Sequence, residues 1–163
     1  MDVLAWIEST SVAVWVRESV SLWAYPGILS FHTFGLAFVV GTSTAISLRV
    51  LGVASAVPLP AMRGFLPVFW VALCLNTLSG GLLLAAFATT TSVNPIFVTK
   101  MILVVLAVVI TARLGRAMKT AKGEADAGQK RLALACIGLW TVAMIAGRMT
   151  AYLDLVKGLL GVE

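Results

Sequence analysis

Four runs of about 20 mostly apolar residues, none containing Asp or Glu, constrain this chain more than any other feature. Backbone N–H and C=O groups find no water in a hydrocarbon core, so a run of this length crosses it as a helix. The runs fall at about 23–48, 65–88, 96–118 and 132–153. Pro26 and Pro67 stand in the first turns of two of them, where the missing N–H is not needed. The third is most apolar as far as Ala112 and continues as a more polar helix to Met118. The sequence therefore predicts an all-α integral membrane four-helix bundle over 23–153. It places an amphipathic interfacial helix before the bundle (1–22) and an outer C-terminal tail after it (154–163).

Composition supports lipid as part of the solvent: 12% of residues are charged and mean hydropathy is +1.02, whereas soluble domains carry about 25% charged residues. The net charge of +5 is a signal of orientation. Arg49 and Arg63 lie between the first two runs. Arg113, Arg116, Lys119, Lys122, Lys130 and Arg131 lie between the last two, so the two links hold eight of the 12 cations. With Glu124 and Asp126 that side carries +6, and the opposite side −1. The positive-inside rule then predicts cytoplasmic basic links and both termini outside. Charge placed this way gives no reason to expect nucleic acid as a partner; the expected partners are the bilayer and other membrane subunits or further copies of the chain.

Residues 1–22 lack the basic start and small-residue cleavage site of a signal peptide. Trp6, Trp15 and Trp23 alternate with Asp2, Glu8, Arg17 and Glu18, as in a helix lying in the interface, and Ser9-Thr10-Ser11 is a place where it would divide. The loop TTTSVNP reads as a tight hairpin and KTAKGEADAGQK as a solvated link. No internal repeat is visible. Small residues every four positions, Thr33, Ala37, Gly41 and Ala45 in the first run and Ala143, Gly147 and Ala151 in the fourth, predict faces turned toward other helices. Gly80, Gly81, Asn76, Thr77 and Ser79 offer close approach and hydrogen bonds in the second.

Depth picks out candidate site residues. At 1.5 Å per residue His32 lies ~9 Å inside Pro26, Lys100 ~7 Å inside Pro95, and Arg148 ~9 Å inside Asp154. Buried membrane charges are costly, about 2.5–3.5 kcal/mol on an insertion scale, and tend to mark sites or to pair. Two readings follow. In one, Lys100 and Arg148 snorkel to headgroups, His32 bonds between helices and Tyr152 anchors the interface. In the other, His32, Lys100, Arg148 and Tyr152, with Asn76, hold an electron-rich ligand: haem b, a quinone head group or a lipid phosphate. Haem requires an axial ligand, and the single histidine, His32, leaves a five-coordinate site, a His/Met site using Met101, Met144 or Met149, or a haem shared between chains. A quinone requires only hydrogen bonds in an apolar slot. Glu18 and Asp154 are the nearest acids that could reach Lys100 or Arg148.

Other chemistry is not encoded. Gly41-Thr42-Ser43 lies mid-helix and ~16 Å from His32 along the axis, too far for a nucleophile and its base. Cys74 and Cys136 lack metal or redox spacing and read as buried structural thiols. The spans carry no acid for proton pumping.

The stretch FHTFGLAFVVGTSTAISLRVLG, the Asn-Pro before Lys100 and the closing GRMTAY resemble a group of small bacterial four-span inner-membrane proteins of unknown function, over about Ser30–Tyr152. The resemblance implies a fold and a bacterial inner membrane, with no activity attached, and its motif residues are His32, Gly35, Lys100, Arg148 and Tyr152. A looser similarity to cytochrome b-like and copper-resistance-type bundles lacks their multiple histidines. The expected function is a non-catalytic membrane subunit or anchor of a redox partner, with a quinone or haem site. The alternatives are a transport or channel component for a small anion or metal, extended inward by Asn76, Thr77 and Ser79, and a purely structural subunit.

Overall fold

The structure, a computed structural model, describes the backbone of residues 2–120 and 124–160, and their side chains except those of 119, 120 and 150–160. All regular structure among the described residues is helical. The order is α1 (Val3–Glu8), α2 (Ser11–Glu18), α3 (Tyr25–Val50), a 3-10 turn (Leu59–Gly64), α4 (Phe65–Ala86), α5 (Ala88–Thr91), α6 (Pro95–Thr120) and α7 (Ala127–Leu160). Four of these segments, Tyr25–Val50, Leu59–Ala86, Pro95–Met118 and Ala127–Met149, are long and apolar enough to cross a membrane. The chain is a multi-pass membrane protein of all-α class. It forms two compact units, residues 1–43 with 64–93, and residues 44–63 with 94–163.

In the first unit the N-terminal segment is two helices rather than one, divided at Ser9-Thr10. Thr10 caps α2 by accepting from the Ala13 amide at 3.4 Å. Ala13 and Val16 are fully buried while Trp6, Trp15 and Trp23 are exposed, so the amphipathic reading holds. Val16 packs with Ile28 of α3 and Ala86 of α4, and Leu83 lies against them. Arg17 Nη1 donates to the Ala86 carbonyl at 3.0 Å. That carbonyl is one of the last in α4, which has no partner of its own within the helix and faces the negative end of its dipole. Glu8 accepts from the amide and hydroxyl of Thr89 at 2.9 and 2.6 Å, which ties α1 to the start of α5. Hydrogen bonds from Thr89 hold the Glu8 carboxyl below the ordinary glutamate value, and the Arg17 charge adds to this.

In the second unit α6 and α7 form an antiparallel hairpin. The pairs Lys100–Gly147 and Thr111–Cys136, and Met118 with Gln129 around a void of about 10 Å³, advance equally along α6 and back along α7. Steps near seven and eleven residues keep one face of each helix on its neighbour. That face carries Ala107, Thr111, Leu114 and Met118 on α6, and Ala133, Cys136, Trp140 and Ala143 on α7, all buried. Asn94 caps α6 by accepting from the Ile96 amide at 2.9 Å, and Pro95 fills the first helical position. Asp126 and Gln129 close a reciprocal capping box on α7 at 2.8 and 3.2 Å.

After α3 the chain turns at Gly52, whose φ is +103°. Its amide bonds to Arg49 O and the Val53 amide to Leu48 O, the paired bonds of a Schellman motif, in which glycine carries no Cβ penalty. Arg49 is buried. It donates to the carbonyls of Val57 and Ser55, so this topological cation also fastens its own loop.

Several expectations are corrected. The second span stops at Ala86, because Phe87 leaves helical geometry at φ −138°, and the hairpin loop begins with the short α5. Helix α7 starts at Ala127, before the predicted 132, and runs to Leu160 through the predicted tail. Hydropathy marks the lipid-matched part of a helix, while caps and propensity set its length. The small-residue stripe of the first span is also displaced. Thr33, Ala37 and Gly41 are exposed, and a Cβ on Gly41 would meet nothing within 4 Å. The buried line instead runs through Ile28, Gly35, Val39, Ser43 and Ile46. Small residues permit close approach, but the neighbour decides which line is used. In the fourth span Ala143 is buried and Gly147 meets Lys100 as expected, and the Ala151 side chain lies outside the described residues. Cys136 is buried, whereas Cys74 is exposed, contrary to the expected pair of buried thiols.

Candidate functional site

The first unit brings His32 and Asn76 together. The His32 Nδ1 lies 3.0 Å from the Asn76 carbonyl oxygen and 3.2 Å from Ser79 Oγ, while Asn76 Nδ2 donates to the His32 carbonyl at 2.8 Å. A backbone carbonyl can only accept. The Ser79 hydroxyl proton is directed to the α4 carbonyls of Leu75 (2.7 Å) and Asn76 (3.2 Å). The carbonyl contact is a hydrogen bond in the tautomer with the proton on Nδ1, whose lone pair lies on Nε2, and Asn76 Nδ2 also lies 3.3 Å from Nδ1.

Two glycines make this geometry possible. A Cβ on Gly35 would come 3.1 Å from the Asn76 Cβ, and one on Gly80 would come 2.9 Å from the imidazole Cε1. Gly81 next to it meets nothing within 4 Å. Close backbone approach lets short polar side chains bond across α3 and α4, the arrangement expected where hydrophobicity cannot drive helices together.

Asn76 and Ser79 are thus engaged at the helix interface, while Thr77 is exposed on another side of α4. A groove of about 380 Å³ lined by Trp23, Phe31, Phe34 and their neighbours lies on α3. Its α3 residues Gly27, Ser30, Phe31 and Phe34 are displaced from His32 by roughly 100–160° round the helix, so the groove opens away from the imidazole.

The second unit holds Lys100 and Arg148. Lys100 is half-buried along α7: a Cβ on Gly147 would sit 3.4 Å from its Cε and 3.5 Å from its Nζ. Arg148, the next residue, is exposed. The Tyr152 and Asp154 side chains, named from the sequence, lie outside the described residues. Glu18, one of the two acids named from the sequence as able to reach a cation, is paired with Arg17 at 3.0 Å. Met101, Met144 and Met149 are exposed on α6 and α7. Among the described residues no three of His, Cys, Asp and Glu gather as a metal site would need.

Sequence reasoning named Gly80 only as a packing residue, Ser79 as packing or part of a polar path, and Trp140 not at all. Its indole Nε1 is the buried side-chain polar atom without a hydrogen-bond partner among the described residues. Comparison with protein-family models, curated proteins and solved structures gave no match for this chain.

Proposed function

We propose that this chain is a non-catalytic membrane subunit that associates with a redox partner and presents His32 to a quinone. It would lie in a bacterial inner membrane with both termini outside and the basic links in the cytoplasm. The observation that carries the reading is the 3.0 Å contact of His32 Nδ1 with the Asn76 carbonyl oxygen. Donation from Nδ1 to Asn76 O orients the ring and gives Nε2 the lone pair, which can accept a hydrogen bond from a hydroquinone hydroxyl. A haem at the same nitrogen is the second reading, favoured by the same anchoring, since ligating imidazoles usually donate their other N–H to a carbonyl or carboxylate. The asymmetric charge of the links supports the orientation.

The test is an absorption spectrum, with mass spectrometry of extracted lipids, on the chain purified from a bacterial membrane. Co-purifying quinone that is lost in His32→Ala is the expected result. A Soret band lost in the same variant would transfer the site to haem. Colourless, quinone-free protein with intact helicity would refute the cofactor half, and absence of any co-purifying redox subunit the other.

A further inference from the structure

We infer that Arg63, Arg113, Arg116, Lys130 and Arg131 form a belt of cations that holds anionic phospholipids around one end of the second unit, independent of any role of His32. Residues 53–58, between α3 and the 3-10 turn, are exposed, non-helical backbone. Such backbone does not occur open to lipid inside a hydrocarbon core, so this stretch lies outside it. Val50 and Leu59, on either side of the stretch, line one small void with Leu114, Met118 and Gln129. The C-terminal part of α6 and the first turn of α7 therefore stand at the same boundary, and Arg63 closes the 3-10 turn there. The register of the hairpin, set by Thr111 with Cys136 and Met118 with Gln129, brings Arg116 level with Arg131. Lys130 is the adjacent residue on α7, and Arg113 stands ~4.5 Å further along α6.

The four arginines are exposed and Lys130 is half-buried. Glu124 and Asp126, the acids between α6 and α7, pair with none of the five among the described residues, and the Asp126 carboxylate accepts from the Gln129 amide at 2.8 Å. Arg49 stays out of the belt because its guanidinium is bonded to the carbonyls of Val57 and Ser55. Arg116 lies roughly 160° round α6 from the buried face of that helix, and Arg131 about as far round α7 from its own. The two arginines are therefore on opposite outer sides of the hairpin. A compact ligand, or one face of a protein or nucleic acid, reaches a single side, whereas a ring of lipids meets every side at the level of its phosphates. Each planar guanidinium takes two phosphate oxygens side by side, and the ammonium approaches as a compact charge. A lipid of net negative charge leaves this attraction unopposed, while the choline of a zwitterionic lipid offsets it.

Electron spin resonance of spin-labelled lipids around the full chain, in vesicles of equal phosphatidylglycerol and phosphatidylcholine, tests the belt. Phosphatidylglycerol should be immobilised with a preference of about fivefold, the weight of one cation near a headgroup. The preference should fall toward unity in about 1 M salt, where the screening length is short. Combining Arg113→Gln, Arg116→Gln, Lys130→Gln and Arg131→Gln should abolish it. Combining Arg113→Lys, Arg116→Lys and Arg131→Lys should keep most of it, which separates loss of charge from loss of the fold. Lys100→Gln, at the opposite end of the hairpin, should leave it unchanged. An undiminished preference in the glutamine combination would overturn the proposal, as would an equal loss in Lys100→Gln or a parent protein that does not discriminate between the two lipids. Loss of the preference to excess inorganic phosphate at constant ionic strength would identify free phosphate as the ligand and overturn the lipid assignment.

Discussion

His32 and Asn76 hold each other by reciprocal bonds, Nδ1 to carbonyl at 3.0 Å in one direction and Nδ2 to carbonyl at 2.8 Å in the other, across two spanning helices. The polar residues of these spans are therefore structural before they are anything else, and any ligand at Nε2 meets an imidazole whose orientation is already set.

The glycine beside the ring is the sensitive position. Gly80→Ala puts a Cβ 2.9 Å from the imidazole Cε1 and should cost about 1–3 kcal/mol through forced repacking. Gly81→Ala, with open space, should be close to neutral or slightly stabilising. Reversible unfolding in mixed micelles reads both, and equal effects would contradict the described interface.

Arg17 satisfies the Ala86 carbonyl at the end of α4. Its replacement by alanine should cost about 1–2 kcal/mol, less than a fully buried charged hydrogen bond because the side chain keeps access to solvent. Hydrogen exchange should quicken at the α4 terminus and in α2 while the α6/α7 hairpin is unaffected. Uniform acceleration across all helices would mean that the clasp is not local.

Glu8 provides a pH dependence of defined sign. Its folded carboxyl titrates below the ordinary value of about 4.3. The stabilisation it gives is complete above that value and is lost as pH falls through the depressed folded one. The Thr89 amide should therefore lose exchange protection in a step at a pH below the ordinary glutamate value, and Glu8→Gln should remove the step. The same acid step in the parent protein and in Glu8→Gln would argue against the Glu8–Thr89 bonds.

Trp140 carries a buried donor without an acceptor among the described residues. Removing the N–H in Trp140→Phe relieves a penalty of about 1–3 kcal/mol but loses ring volume. The net change should be within about 1 kcal/mol of zero, whereas Trp140→Ala should cost about 3–5 kcal/mol. A large loss in the phenylalanine variant would show that the N–H has a partner.

The helical class, the number of spans and the divided N-terminal segment were legible in the residues because each follows from local rules. Apolar length against membrane thickness sets the spans, and Ser9-Thr10 breaks the amphipathic helix. Helix ends were less legible, since the capping box at Asp126 and the exit at Phe87 outweigh hydropathy there. The candidate site was found in part. Depth counting put His32, Lys100 and Arg148 at comparable levels, but depth measures position along an axis and carries no information about azimuth.

Azimuth belongs to tertiary structure. Gly35 rather than Gly41 meets α4, Gly80 rather than Gly81 receives the imidazole, and Gly147 receives Lys100. By itself the sequence determined that this chain must live in a membrane as four helices, because an apolar run of about 20 residues satisfies its backbone within the segment as a helix. Only the fold decided which faces meet, because that choice depends on which pairs of surfaces allow close approach and complete each other's hydrogen bonds, and a linear spacing does not contain it.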